Sequence, residues 1–157
     1  MRIVIVAVGR ARTGAVGDLF ADYVDRIAAT RLFGRIDLCE VEERRKLPPP
    51  ELKTREGALL RAALPSGATV VALDARGTPL SSEAFATRLA KWRDSGVQTL
   101  AFVIGGADGL DPDFVRKADF VLSLGPMTWP HMLVRVMLAE QIYRAASILR
   151  GHPYHRG

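Results

Sequence analysis

The side chains best equipped for chemistry crowd toward the C-terminal end of this 157-residue chain. Its three histidines are His131, His152 and His155. The same stretch carries Arg135, Arg144, Arg150 and Arg156 against a single acid, Glu140, and Tyr154 adds an aromatic face. Imidazole titrates near neutrality, so it can take or give a proton at physiological pH. Guanidinium groups grip phosphate through paired N–H donors and stack on flat rings. Arginine and aromatic groups in one cluster suit RNA, whose exposed bases stack on both. The His152–His155 spacing also fits two metal ligands, yet no acidic or cysteine ligand accompanies them, so no metal site is expected. A solvated basic tail is the plainer reading of the same residues.

Backbone able to hold a small ligand lies elsewhere. Three apolar runs end in turn-forming residues: Leu73-Asp74, Ile104-Gly105-Gly106-Ala107-Asp108-Gly109 and Leu122-Ser123-Leu124-Gly125-Pro126-Met127. Glycine after a strand lets backbone approach a ligand closely, and open α/β sheets bind ligands outside the carboxyl ends of their strands. Ordinary turns are the alternative. Asp74 either binds a ribose hydroxyl or simply ends its strand. A dinucleotide fingerprint is missing, because Gly9, Gly14 and Gly17 have the wrong spacing after the first strand. No G-x-x-x-x-G-K-[ST] phosphate loop occurs.

The elements that must carry these groups alternate along the chain. Ile3 to Val8 is a continuous β-branched run, the pattern of a strand buried on both faces of a parallel sheet. A helix follows through Leu19, Phe20, Tyr23, Val24 and Ile27, then a strand from Arg35 to Val41. Glu42 to Pro50 reads as a mobile charged loop, followed by a helix from Glu51 to Leu64. Further strands are expected over Thr69–Leu73, Thr99–Ile104 and Phe120–Leu124. Helices are expected from Ser81 or Ser82 to Trp92, Pro112 to Ala118, and His131 to Leu149. The result is one α/β domain over residues 1–157, with a mainly parallel sheet and helices on both faces.

Composition agrees with a globular chain: 48% hydrophobic and 25% charged. No apolar run reaches the ~18 residues of a membrane span, and the opening run is too short for a secretory leader, so a cytoplasmic protein without a membrane partner is expected. The lone Cys39, in an alternating stretch, reads as a buried packing residue. The net charge of +5 and a pI near 9.9 fit a nucleic-acid partner, or an arginine-rich composition that reflects only the genome. Arg2, Arg10, Arg12, Arg26 and Arg31 are candidates for phosphate contacts and equally plain surface residues. The last helix is apolar nearly all round, with Arg135 and Arg144 on opposite sides at ~100° per residue. One side can face the sheet and the other a second subunit, so a homodimer through this helix is expected.

Taken together, Val103-Ile104-Gly105-Gly106-Ala107-Asp108-Gly109-Leu110, Leu122 through Pro130-His131, Leu133-Val134-Arg135-Val136, Glu140 through Ala145 and His152-Pro153-Tyr154-His155-Arg156 resemble the ribosomal RNA large subunit methyltransferase H family of the SPOUT superfamily. The resemblance covers essentially the whole chain, including Val6-Ala7-Val8-Gly9. It implies a C-terminal trefoil knot, which composition and periodicity do not show. It implies a homodimer that binds S-adenosylmethionine and methylates N3 of a pseudouridine in 23S rRNA on the assembled ribosome. By position the cofactor residues would be Leu73, Gly105, Gly106, Leu122, Ser123, Leu124, Gly125, Pro126, Met127 and Thr128. Gly125-Pro126-Met127 departs from the small and aliphatic residues common in relatives. The catalytic candidates are His152, Tyr154, His155 and Arg135: a histidine to accept the N3 proton, Arg135 to stabilise the ring anion, Tyr154 to stack on a flipped base. Two other classes compete, a nucleotide-dependent oxidoreductase and a non-catalytic ribosome-binding factor.

Overall fold

Strand β1 (Arg2–Val8) dictates the architecture, because every side chain from Ile3 to Val8 is apolar and buried. Such a strand needs apolar cover above and below. The computed structural model, which describes residues 1–10, 14–34 and 36–155, supplies it. β1, β2 (Ile36–Val41), β3 (Thr69–Pro79), β4 (Thr99–Ile104) and β5 (Phe120–Ser123) form a five-stranded sheet in the order β2-β1-β4-β3-β5. All of its pairings are parallel. Helices α1 (Ala15–Thr30), α3 (Ser82–Asp94) and α5 (His131–Leu149) cover one face, packing Ile27, Phe85, Leu89, Leu138 and Ile142 on Ile3, Ile5 and Phe102. Helices α2 (Pro49–Ala63) and α4 (Pro112–Lys117) cover the other, with Leu60 and Phe114 against Val4, Val6 and Val103.

Several boundaries differ from the sequence reading for physical reasons. α2 starts at Pro49 rather than Glu51, because proline in the first turn lacks only an N–H that would have no helical partner. The loop before it, expected to be mobile, has a fixed centre. The Glu43 carboxylate accepts from the Arg45 backbone N–H at 2.9 Å and from the Arg45 and Arg55 side chains at 3.0 Å each. Those bonds, Arg45 foremost, pull Glu43 down to about 2. Strand β3 does not stop at Leu73 but runs to Pro79 after an irregularity, with Leu73 and Thr78 both opposite Leu122. Arg35 lies outside the described residues, and β2 is seen from Ile36. Cys39 is half-buried rather than buried, since β2 is an edge strand. Ser81 caps α3 by accepting from the Ala84 N–H at 3.2 Å, as its position suggested. Among the described residues no helix is long and apolar enough to cross a membrane.

Candidate active site

The irregularity of β3 after Leu73 and the carboxyl ends of β4 and β5 open into a cavity of about 420 Å³. Leu73, Gly105, Gly106, Leu122, Leu124, Gly125, Met127 and Thr128 line it, together with Asp74, Ile104, Trp129, His131 and Val134. Three turns distant in sequence converge because their strands are neighbours in the sheet. Gly105 is required by space: a Cβ there would stand 2.7 Å from the Gly109 carbonyl carbon and 2.8 Å from the Leu110 nitrogen. Gly125 is required by conformation, at φ 108°. The wall is therefore mostly backbone and aliphatic side chain, with Met127 and Trp129 exposed at the rim.

Two residues assigned to this wall from sequence lie off it. Ser123 donates its hydroxyl to the Ala75 carbonyl at 3.0 Å, stitching β5 to the β3 irregularity, and faces a neighbouring cavity. Pro126 is exposed and lines neither. Asp74 reaches the cavity, but its carboxylate already accepts the Arg76 N–H at 2.9 Å and Nε–H at 3.0 Å. Arg76 holds it below the ordinary aspartate range. The neighbouring cavity is larger, about 670 Å³, and shares Leu122, Leu124 and Gly125 with the first. Its other walls are side chains of α1, α3 and α5, including Leu19, Phe85 and Met137.

Sequence reasoning missed His131 as a site residue, although a histidine opening a helix beside strand ends is a usable signal. Its imidazole lines the cavity and sits over Gly9, where a Cβ would come within 3.1 Å of its Nε2. Burial and the nearby Arg135 cation push its pKa down, so it is a neutral imidazole at physiological pH.

Arg135 has a different position from the one expected. It is 2% exposed. One terminal nitrogen donates to the Val8 carbonyl at 2.7 Å and the Gly9 carbonyl at 2.6 Å; the other donates to Glu40 at 2.5 Å. Its Nε is buried without a partner among the described residues. The guanidinium thus ties the start of α5 to the ends of β1 and β2, satisfying carbonyls that would otherwise be costly to bury. This is the geometry of a positioning residue, and it leaves no terminal N–H pair turned to the cavity.

The remaining candidates form a second cluster at the far end of α5. Tyr154 donates its hydroxyl to Glu140 at 3.2 Å, packs edge-on against Tyr143 with ring centres 4.6 Å apart, and lies 4.9 Å beneath the Arg144 guanidinium. Burial first, then Tyr23 and Glu140, raise its pKa above the ordinary phenol value, so it stays protonated. His155 Nε2 is 2.6 Å from Glu83. Glu83 is held at about 2 by its own backbone N–H, Ser81 and His155, so it can only accept, and Nε2 must carry the proton. In neutral His155, Nδ1 then holds the lone pair; it faces the Arg144 guanidinium at 3.5 Å. His152 is exposed, and its Nδ1 accepts from the Tyr154 N–H at 3.3 Å. Arg156 lies outside the described residues. Among the described residues no three metal-ligating side chains cluster.

Among the described residues, none of the tail lines this cavity. Val134 lines the cavity and Arg144 anchors the tail, separated by about 15 Å of helix at ~1.5 Å per residue.

Comparison with known proteins adds an independent line. Residues 1–155 match the family described as "Predicted SPOUT methyltransferase". The chain is 57% identical over 156 residues to the ribosomal RNA large subunit methyltransferase H of Rhodospirillum centenum, covering 99% of both chains. It is 55% identical to the protein of that name from Paramagnetospirillum magneticum, again over 99% of both. Among solved structures, a probable methyltransferase from Bordetella pertussis Tohama I superposes with a TM-score of 0.52 at 13% identity, covering 92% of this chain and 95% of that one. At that identity the likeness speaks for the fold alone.

Proposed function

The chain belongs to the ribosomal RNA large subunit methyltransferase H family, within the SPOUT methyltransferases, and from that premise we propose that it methylates N3 of a pseudouridine in 23S rRNA. The methyl donor is S-adenosylmethionine. The enzyme works as a homodimer on the assembled ribosome in the bacterial cytoplasm, and its chain carries the C-terminal trefoil knot that the family resemblance implies. The observation that carries this reading is the convergence of three glycine-bearing or aliphatic turns on one cavity at strand ends.

The residues present fit the donor. A cavity of about 420 Å³ lies within the ~300–1,000 Å³ of small-molecule sites. Leu73, Leu122 and Leu124 offer apolar walls to a flat ring, while the Gly105–Gly106 backbone comes close enough for main-chain contacts. When bound, the donor supplies an electrophilic methyl group on a positively charged sulfur. The protein must hold the acceptor in line and remove its proton.

The N3 position of a uracil ring is an imide N–H. His155 is suited to take its proton: Glu83 holds the Nε2–H and so fixes the tautomer, leaving on Nδ1 a lone pair that must give up the Arg144 guanidinium, 3.5 Å away, to meet N3. His152, whose Nδ1 already accepts the Tyr154 N–H, is left to hydrogen-bonding rather than to proton removal. Tyr154, held as a phenol, stacks on or hydrogen-bonds the flipped base rather than deprotonating it. Arg135 holds the β1 end and α5 in register rather than touching the ring. Because no described residue of the tail lines the cavity of its own chain, the tail of one subunit completes the cavity of the other. The apolar cavity between α1, α3 and α5 continues the same surface and suits burial against a second copy.

The test is incubation with labelled S-adenosylmethionine and ribosomes from a strain lacking this gene, followed by mapping of the labelled nucleotide. Label at N3 of one 23S pseudouridine is expected. Label elsewhere, or in free 23S rRNA but not in ribosomes, overturns the corresponding part of the reading.

A further inference from the structure

A groove of about 560 Å³ runs between the C-terminal ends of α1 and α5, at the opposite end of α5 from the cofactor cavity. Arg26 and Thr30 of α1 form one side; Ser147, Arg150 and His152 form the other. Among the described residues no aspartate or glutamate lines it. Arg150 donates to the Thr30 carbonyl and so bridges the two helices, while none of the described residues accepts from its other guanidinium nitrogens. Arg26 caps nothing; it pairs with Asp22 one turn back at 2.8 Å on an exposed surface. His152 Nδ1 is occupied by the Tyr154 N–H, which directs the neutral ring's own N–H to Nε2.

The ordinary explanation of cations here is helix capping, since carbonyl-rich C-termini attract positive charge. Capping accounts for Arg150 at Thr30. Arg26 is engaged by Asp22 and lies 5.4 Å from the Tyr23 ring centre, but capping does not account for a groove between the two arginines whose described lining holds cationic and N–H donors and no acid. The same dipoles oppose an anion, so a ligand of this groove must bring enough charge to be held by paired guanidinium contacts. A phosphodiester does so, and guanidinium is the side chain suited to it. The groove also precedes Tyr154 and His155 by one or two residues, where the target base is held in the function proposed above.

Resting on that reading, we infer that the groove between α1 and α5 is a subsite for an RNA backbone phosphate beside the target nucleotide. Arg26 and Arg150 grip the phosphate and His152 donates a further hydrogen bond. It thereby sets the register of the tail on the RNA.

The experiment uses the full-length protein with Arg26→Gln, Arg150→Gln and Arg26→Lys. Binding to ribosomes lacking the modification, and to a labelled 23S rRNA stem-loop, is measured at several KCl concentrations beside methylation kinetics. Each glutamine variant is expected to weaken RNA binding and raise KM about three- to tenfold. It should also lower the slope of log affinity against log salt by about one, as loss of one phosphate contact does. Arg26→Lys should restore the slope. Values of kcat and S-adenosylmethionine Kd should stay within about twofold.

Unchanged affinity and salt slope in both glutamine variants overturn the subsite. So does a loss that follows thermal stability or cofactor binding, since that marks a capping role. Equal sensitivity of polyglutamate binding to the same variants overturns it in favour of a protein partner. If the wild-type protein binds the stem-loop with the variant-sensitive slope but methylates nothing, the subsite stands and the proposed function falls.

Discussion

The two ends of α5 are built from different materials. At its start, around His131 and Val134, the surroundings are mainly backbone and aliphatic side chains, with a neutral imidazole and the charged Asp74, Arg76 and Asp108 in the same lining. At its end, around Arg144 and Arg150, they are guanidinium groups, two further histidines and stacked tyrosines, with Glu140 bonding Arg144 and Tyr154 together. The first region gets its shape from glycines that admit no Cβ, a requirement set by main-chain geometry. The second gets its shape from half-buried and exposed charges that pair with one another, Arg144 with Glu140 and His155 with Glu83. A small, partly apolar donor suits the first; a polyanion suits the second. The lesson is that one helix can join two sites of opposite polarity, and that disabling one need not disable the other.

That separation can be broken experimentally. Deleting residues 151–157 should produce the largest effect, a loss of methylation of at least ~100-fold, as expected when a general base is removed. Calorimetry should find S-adenosylmethionine affinity within about twofold. Full turnover by the shortened chain removes the tail from the mechanism. The converse change is Gly105→Ala, which forces a Cβ to 2.7 Å from backbone. Donor affinity should fall at least ~10-fold while stem-loop binding holds. If both ligands weaken together, the two ends are not independent.

Arg135→Met sharpens the distinction between support and chemistry. It removes the Arg135 donor from the buried Val8 and Gly9 carbonyls and one contact from Glu40, a quarter exposed. Breaking such a pair costs roughly 3–5 kcal/mol when fully buried, so about 3 kcal/mol of stability should be lost in urea unfolding. A variant of native stability whose kcat alone collapses would return Arg135 to the reacting atoms.

The smallest effect concerns pH. His131 has a pKa held below its unfolded value of ~6.5, so the unfolded chain takes up the proton more readily. Its contribution to stability is therefore complete above about pH 6.5 and declines as the pH falls below that value. His131→Asn should flatten this acid-side decline in thermal unfolding; an unchanged slope would assign it to other groups.

Much of the scaffold was legible from periodicity. The run Ile3–Val8 announced a central strand, and α5 has the bounds that its apolar pattern gave, His131–Leu149. The turns that line the cavity were legible as glycine and aliphatic residues after strands. Errors arose where a side chain bonds locally. Asp74 looked like a strand end because its bond to Arg76 and the shift opposite Leu122 leave no mark in the hydrophobic pattern. Ser123 looked like wall because nothing in a sequence says that its hydroxyl meets Ala75 across the sheet.

What the amino-acid order determined alone is the alternation of strand and helix, the glycines that permit close approach, and the cationic, imidazole-bearing end of the chain. These are local properties, fixed by side-chain type and spacing. Only the tertiary structure decided that β3, β4 and β5 lie side by side, which turns three separate loops into one cavity. It also decided that Arg135 points inward at Val8, Gly9 and Glu40, and that His131 takes the place facing the cavity. The Arg135 contacts join residues 95 to 127 positions apart, and a one-dimensional pattern holds no record of which distant groups a buried side chain will meet.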